Sequence, residues 1–248
     1  MALISAAVLA AWFRGPEPSG PPSAGPAEPA AQTPRAVDPP PSTADGPRGR
    51  ARARAAPRRP RAHALTATPI EWRSSVAVGR PEAGRLIRGV KLPREGRHFF
   101  TWDPVRKRSP NRFWRRYGTD RLVRVLLRVA RRHGAAHPAA PRVSIGDLSR
   151  PRGGDFGVRY GIVGHASHQN GLDADVYYPR RDERERAPSG VGQVDLRLAQ
   201  DLVDRFVAAG AERVFVGPAT GLRGPPGVVH TIANHDDHLH VRLRAGRG

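Results

Sequence analysis

Residues 235–240 read HDDHLH, placing three of the chain's ten histidines and two aspartates in six positions. On a β-strand, successive side chains point to opposite faces. Leu239, Val241 and Leu243 then share one face, and His238, His240 and Arg242 share the other. One face is suited to a core and the other to polar chemistry. A second polar cluster, GHASHQNGLDADVYYP, spans residues 164–179 and carries His165, His168, Asp173 and Asp175. Asp175 follows His168 by seven residues, enough for a loop to turn back and deliver both groups to one point, with Gly171 easing the turn. Imidazoles and carboxylates gathered in this way suit a divalent metal ion. The chain has no cysteine, so thiolate sites and disulfides are excluded and the ligands must come from His, Asp or Glu. A hydrolytic zinc site uses three protein ligands and keeps a fourth position for water. His238 and His240 stand about 6.5–7 Å apart along a strand. Both binding one ion, or one binding while the other stands beside it, fit equally well.

These groups need a scaffold. GTDRLVRVLLRVARRHG, residues 118–134, predicts a helix with Thr119 as N-cap. Leu122, Val125, Leu126, Val129 and Ala130 form its buried stripe, arginines its outer face, and Gly134 its stop. VDLRLAQDLVDRFVAAG predicts a second helix, with Asp195 as N-cap. RVSIGDLS, GLDADVYY, ERVFVG and HLHVRL predict strands. In GLDADVYY, Leu172, Ala174 and Val176 alternate with Asp173, Asp175 and Tyr177. At least four strands with two helices make an α+β fold. FWRRYG, Phe113–Gly118, reads as packing ahead of the first helix. His63 and His133 read as solvated.

Composition divides the chain. Thirteen of the 26 prolines fall in the first 65 residues. Residues 15–69 read as a disordered Pro/Ala/Arg-rich linker, leaving 70–248 as the folded domain. The apolar run from Ala2 to Phe13 is too short to span a bilayer comfortably. It suits the hydrophobic part of a signal peptide or an apolar anchor over residues 1–14, although no basic segment precedes it. No spanning transmembrane helix is expected. The formal net charge is +20, and Lys91 and Lys107 are the only lysines. Such a chain is drawn to polyanions. The arginines of PRGRARARAAPRRPRA either anchor it to anionic polymers or belong to a solvated spacer.

Four stretches in order, SIGDLSRPRGG, GHASHQNGLDADVYY, RVFVGPA and NHDDHLHVRL, resemble the penicillin-insensitive murein endopeptidases. These are zinc peptidases related to lysostaphin-type and D-Ala-D-Ala-cleaving enzymes and to the Hedgehog signalling domain. The resemblance covers roughly residues 75–245. It implies a central antiparallel sheet with flanking helices and long loops, and a bound Zn2+. Its zinc ligands fall on His168, Asp175 and His240, and its active-site histidine falls on His238. His165 and His235 match further histidines lining the family's metal site; His165 is assigned to the metal, and His235 with His238 to catalysis. The connection from 217 to 234 is short and rich in Gly and Pro, where the family has a longer segment with aromatic residues.

The function implied is hydrolysis of D-Ala–meso-diaminopimelate peptide cross-links of peptidoglycan, in the periplasm or elsewhere in the cell envelope, by an exported enzyme. Zinc would supply an activated water and polarise the scissile carbonyl. No serine nucleophile is needed, which accounts for indifference to β-lactams. Asp173 either orients a ligand imidazole or caps the strand's start. Arg242 either binds a substrate carboxylate or pairs with Asp237. Two rival readings are a D,D-carboxypeptidase or dipeptidase on the same metal site, and a basic polyanion-binding protein with a structural zinc. A structural site is closed by four protein ligands, which weighs against the latter. Nucleic acid is not an expected partner.

Overall fold

Thr119 starts the first long helix as its sequence predicts, its hydroxyl accepting from the Leu122 backbone N–H at 3.2 Å. The structure is a computed structural model that describes residues 69–160 and 166–246. The apolar run at 2–13, the Pro/Arg-rich stretch to residue 68 and His63 lie outside the described residues. Helix α1 runs from Asp120 to Ala136 and α2 from Leu196 to Ala208, with Asp195 as its N-cap.

Among the described residues, eleven strands accompany these helices. They are β1 (Val76–Arg80), β2 (Ala83–Ile87), β3 (Val90–Lys91), β4 (Glu95–Gly96), β5 (Phe99–Thr101), β6 (Tyr117–Gly118), β7 (Val143–Ile145), β8 (Asp173–Tyr177), β9 (Ala211–Val216), β10 (Val229–Thr231) and β11 (His238–Leu243). Seven form the main sheet, in the order β10-β9-β11-β8-β7-β5-β4. The centre, β9-β11-β8-β7, is antiparallel as expected. The sheet as a whole is mixed, because β10 runs parallel to β9 and β5 parallel to β7. The α+β reading holds, with a sheet antiparallel at its centre and mixed toward its edges. The Gly/Pro-rich connection before HDDHLH is what builds β10, a strand of three residues too short to show periodicity. β1 with β2 and β3 with β6 make separate two-stranded pairs.

One face of the sheet carries the core. Ala174 and Val176 of β8 and Leu239, Val241 and Leu243 of β11 are fully buried. They share one hydrophobic cluster with Leu122, Leu126 and Val129 of α1 and with Leu202, Val203 and Phe206 of α2. The alternation read from HLHVRL and LDADVY therefore sets both faces of the central strands. The opposite face holds Asp173, Asp175, His240 and Arg242.

Two readings of α1 are corrected. Gly134 does not stop the helix, which continues to Ala136. Its missing side chain serves packing instead: a Cβ there would lie 2.6 Å from His98 Nδ1. His133 is not solvated but completely buried, with Nδ1 2.6 Å from Asp201 Oδ2 on α2. It falls on α1's buried stripe, four residues beyond Val129.

Phe113–Gly118 packs ahead of α1, as read, though Phe113 itself is exposed. The Arg115 side chain is wholly buried and forks onto Asp147, Nε to Oδ1 at 2.6 Å and Nη2 to Oδ2 at 2.5 Å. Trp114 and Phe156 cover its guanidinium at 4.9 and 4.8 Å from the ring centres. Asn111 Nδ2 donates to Asp147 Oδ1 and to the Gly146 carbonyl. The 146–148 turn leaving β7 is thereby locked beside β8, where the Asp175 N–H donates to the Asp147 carbonyl at 2.9 Å.

Two outcomes test this packing. Leu239→Ala removes a fully buried side chain from the strand bearing His238 and His240, and should cost about 2–5 kcal/mol in urea unfolding. Arg115→Met should cost about 3–5 kcal/mol by the same measurement, because it removes the two-pronged guanidinium from the buried Asp147 carboxylate.

Candidate metal and catalytic site

The pairing of β8 with β11 puts His240 directly opposite Asp175 and Arg242 opposite Asp173. Directly opposed residues on one sheet face have their side chains in contact. His240 Nδ1 accordingly lies 3.2 Å from Asp175 Oδ1. His168 arrives from the preceding loop with Nε2 3.3 Å from the same oxygen. His168, Asp175 and His240 each present a ligand atom within 4.8 Å of the other two, and all three residues are buried.

The loop reaches this geometry through two left-handed residues. Gly171 has φ +76, and a Cβ there would press on Leu86 at 2.8 Å and on the Thr119 nitrogen at 3.1 Å. Its carbonyl accepts from the Thr119 N–H, tying the turn to the start of α1. His168 has φ 68, a conformation uncommon for a residue with a side chain and one that gathers at functional sites.

The outward nitrogen of each imidazole is held by an acceptor. His168 Nδ1 donates to the Leu148 carbonyl at 2.6 Å, on the turn that Arg115 and Asp147 fix. His240 Nε2 donates to Asp173 Oδ1 at 3.0 Å. Such contacts set the tautomer and direct the other ring nitrogen inward. Ligands about 2.1 Å from a tetrahedral ion stand roughly 3.4 Å from one another. The 3.2 and 3.3 Å separations meet that spacing, so two imidazoles and a carboxylate fit a zinc ion here. Phe156 stacks on the His168 ring and Phe215 meets the His240 ring edge-on, giving the cluster apolar walls.

Asp173 is a hub and not merely a cap at the strand's start. Besides His240 it accepts from Arg242 Nε at 2.7 Å and from the His168 backbone N–H at 3.3 Å. Arg242 is thus turned to Asp173 and not to Asp237. Burial works against the charge of Asp173, yet His240, His168 and Arg242 hold its carboxyl far below the usual range. Burial likewise opposes charge on Asp175, and His168, His240 and His238 outweigh it. Burial disfavours a charged His240, but Asp173 and Asp175 push its pKa up to about 9.

His238 lies at the rim. Its Nδ1 donates to Asp237 Oδ1 at 2.6 Å, and its Nε2 stands 3.8 Å from Asp175 Oδ1. Burial opposes its protonation, but Asp237 and Asp175 raise its pKa above the ordinary value. The His235 ring lies 4.7 Å from the His238 ring and 6.1 Å from that of His240, and its Nδ1 donates to the Ala233 carbonyl. Burial, then the charge of His238, lowers its pKa to about 4.

The structure therefore brings together His168, Asp173, Asp175, His235, His238, His240 and Arg242. His165 lies outside the described residues. Sequence reasoning missed the Leu148 carbonyl, Phe156, Phe215 and the Asp147–Arg115 pair. Asp237, considered from the sequence as a partner for Arg242, pairs with His238 instead. The missed groups contribute a backbone atom, a ring face or a distant ion pair, none of which leaves a spacing pattern.

Comparison with known proteins agrees with this arrangement. The sequence model of the family described as penicillin-insensitive murein endopeptidase matches residues 77–205, just over half of the chain. The match includes His168 and Asp175 and ends ahead of β11. A Haemophilus influenzae protein named penicillin-insensitive murein endopeptidase is 28% identical over 72% of this chain and 71% of its own. A Yersinia enterocolitica protein of the same name is 26% identical over 73% and 72%. A third such protein, from Salmonella heidelberg, is 30% identical over 52% and 54%. With a metal-competent His/Asp cluster on the face its motifs predict, and with the family's own model spanning half its length, the chain belongs to the penicillin-insensitive murein endopeptidase family.

Proposed function

We propose that this protein is a zinc-dependent endopeptidase of the cell envelope that hydrolyses D-Ala–meso-diaminopimelate cross-links of peptidoglycan. The observation that carries the reading is the meeting of His168 Nε2 and His240 Nδ1 at Asp175 Oδ1, each imidazole held from behind by an acceptor. The names of the relatives supply the substrate class. Among the described residues no helix is long and apolar enough to cross a membrane. Export would rest on the apolar run at residues 2–13, and the arginine-rich stretch would hold the enzyme near anionic envelope polymers.

In this reading His168, Asp175 and His240 hold the zinc; His165 is assigned to the metal by the family resemblance alone. The ion supplies Lewis acidity, activating a water and polarising the amide carbonyl. The chain's own groups do the rest. Asp173 fixes the tautomer of His240, and Arg242 keeps Asp173 ionised and in place. His238, anchored to Asp237 through Nδ1, keeps Nε2 toward the reacting centre. There it takes or returns a proton, or donates a hydrogen bond to the developing oxyanion. His235 packs against that ring and limits its rotation. Phe156 and Phe215 keep bulk water from the flanks of the cluster, which strengthens each polar contact inside it.

Mass spectrometry of muropeptides from sacculi digested by the full chain tests the activity. Cross-linked dimers should disappear in favour of monomers, and chelator or His240→Ala should abolish the conversion. Release of free D-alanine with the dimers intact would replace the endopeptidase by a carboxypeptidase. Dimer cleavage indifferent to both chelator and His240→Ala would remove the metal from the mechanism. Asp173→Asn should weaken zinc binding by about 10–100-fold, read by competition with a chromophoric chelator.

A further inference from the structure

Two consecutive arginines ahead of β6 end in opposite surroundings. Arg115 forks onto the Asp147 carboxylate, whereas Arg116 meets no carboxylate among the described residues. Arg116 is nevertheless only 4% exposed. Its Nη1 donates to the Leu92 carbonyl at 2.7 Å, and the Leu92 N–H donates to the Arg116 carbonyl at 2.8 Å. Nε is buried without a hydrogen bond, and Nη2 makes none with the described residues. Most of the donors of this guanidinium are therefore unused.

Arg116 lines a cavity of about 380 Å³. Arg73, Lys91 and Arg94 line it as well, and Glu71 is the one acid among the lining residues. Glu71 is engaged by Arg73 at 2.7 Å. Glu95, next to Arg94 in the chain, is turned to Arg142 at 2.9 Å. Lys91 stands over the Phe113 ring, with Nζ 5.6 Å from its centre. Lys91, Arg94 and Arg116 thus gather around one cavity with no ion-pair partner among the described residues. Burial, then the charge of Arg94, pushes the pKa of Arg116 down to about 10, which leaves it a cation near neutrality. A buried cation without a counter-charge is costly, and a neutral side chain would serve the Leu92 carbonyl equally well. An anion in the cavity supplies the charge that the chain itself does not provide.

We propose that this cavity, beside the β3–β6 pair, is an oxyanion site that takes a phosphate group. A phosphate group carries close to two negative charges near neutrality and several strong acceptor oxygens. It can answer a guanidinium and two further cations together, where a single carboxylate has one charge to share. Arg116 is fixed in advance by its two bonds with Leu92, and the backbone around it by the pairing of Val90 with Gly118. Lys91 and Arg94 are exposed and can close on the ligand from the rim. The site shares no side chain with the His168–Asp175–His240 cluster, and its ligand is chemically unlike an amide bond. Inorganic phosphate and a phosphomonoester present the same recognised end. Either one, bound to the folded state alone, stabilises it with occupancy.

The test uses the full chain in phosphate-free buffer, titrated with inorganic phosphate at fixed ionic strength and followed by calorimetry and by melting temperature. A single saturable site and a rise in melting temperature are expected. Lys91→Ser combined with Arg94→Ser, both at exposed positions, should weaken the binding about 10–100-fold without lowering the melting temperature recorded before phosphate is added. Arg116→Met should remove the binding, and Arg197→Ser, at an exposed position on α2, should leave it unchanged. Glycerol phosphate separates the two sources: binding as tight as that of phosphate assigns the site to an ester, and binding of inorganic phosphate alone assigns it to the free ion. None of these readouts depends on murein cleavage. Absence of saturable phosphate binding, an equal loss in Arg197→Ser, or acetate binding as tightly as phosphate would overturn the proposal.

Discussion

The strand register between β8 and β11 is the constraint on which the site depends. Because side chains alternate, slipping β11 by one residue would send His240 into the core and Leu239 to the polar face. Leu239, Val241 and Leu243 are fully buried against the helices, and burying each such side chain contributes about 1.5–3 kcal/mol. That energy fixes the register, and the register sets His240 against Asp175. The one irregularity in β11's pairing with β9 comes between Arg242 and Leu243, beyond His240. The hydrophobic core is in this sense the first determinant of the polar geometry on the far face.

Burying that much charge requires mutual compensation. Asp173 and Asp175 have almost no solvent access, and an unpaired carboxylate there would take up a proton or cost several kcal/mol. Each is instead surrounded by imidazoles, with Arg242 closing the set around Asp173. The same logic extends outward to a second layer. Arg115 neutralises Asp147, the pair stiffens the 146–148 turn, and that turn offers the Leu148 carbonyl to His168. A buried ion pair is weak evidence for stability as such. Here it joins three segments distant in sequence, and its position explains why the interior keeps a guanidinium where an apolar side chain would pack.

What was legible in the sequence follows from how locally each feature is encoded. Thr119 and Asp195 announced their helices because a cap acts within three residues. The two faces of GLDADVYY and HLHVRL were legible because alternation is a local property. The set His168, Asp175 and His240 comes from the family resemblance, since spacing alone leaves His238 and His240 equal candidates; the pairing of β8 with β11 is what brings His240 to Asp175. Gly134 misled because a helix-ending glycine and a glycine admitting a neighbour look alike; His98 decides between them. His133 misled because its partner, Asp201, is 68 residues away. β10 and the pair β3–β6 were not seen because strands of two or three residues show too little period; β1 and β2 are five residues each but bury almost nothing, so no apolar alternation marks them.

The two His/Asp clusters use the same ligand types and differ in what stands behind them. At His168, Asp175 and His240, each imidazole is fixed by a rigid acceptor, and the rim carries His238 with its own carboxylate partner. Such an arrangement leaves room for a reacting molecule beside groups that move protons. At His133, His137 and Asp201, the carboxylate is also held by Arg205, and the surroundings are two packed helices with Arg128 and Arg132 nearby. There Asp201 answers two imidazoles and a guanidinium at once, so the cluster ties the helices together as a hydrogen-bond and ion-pair network. Ligand identity alone does not separate chemistry from structure in this chain. The groups one bond further out do, and they divide between the two faces of one sheet.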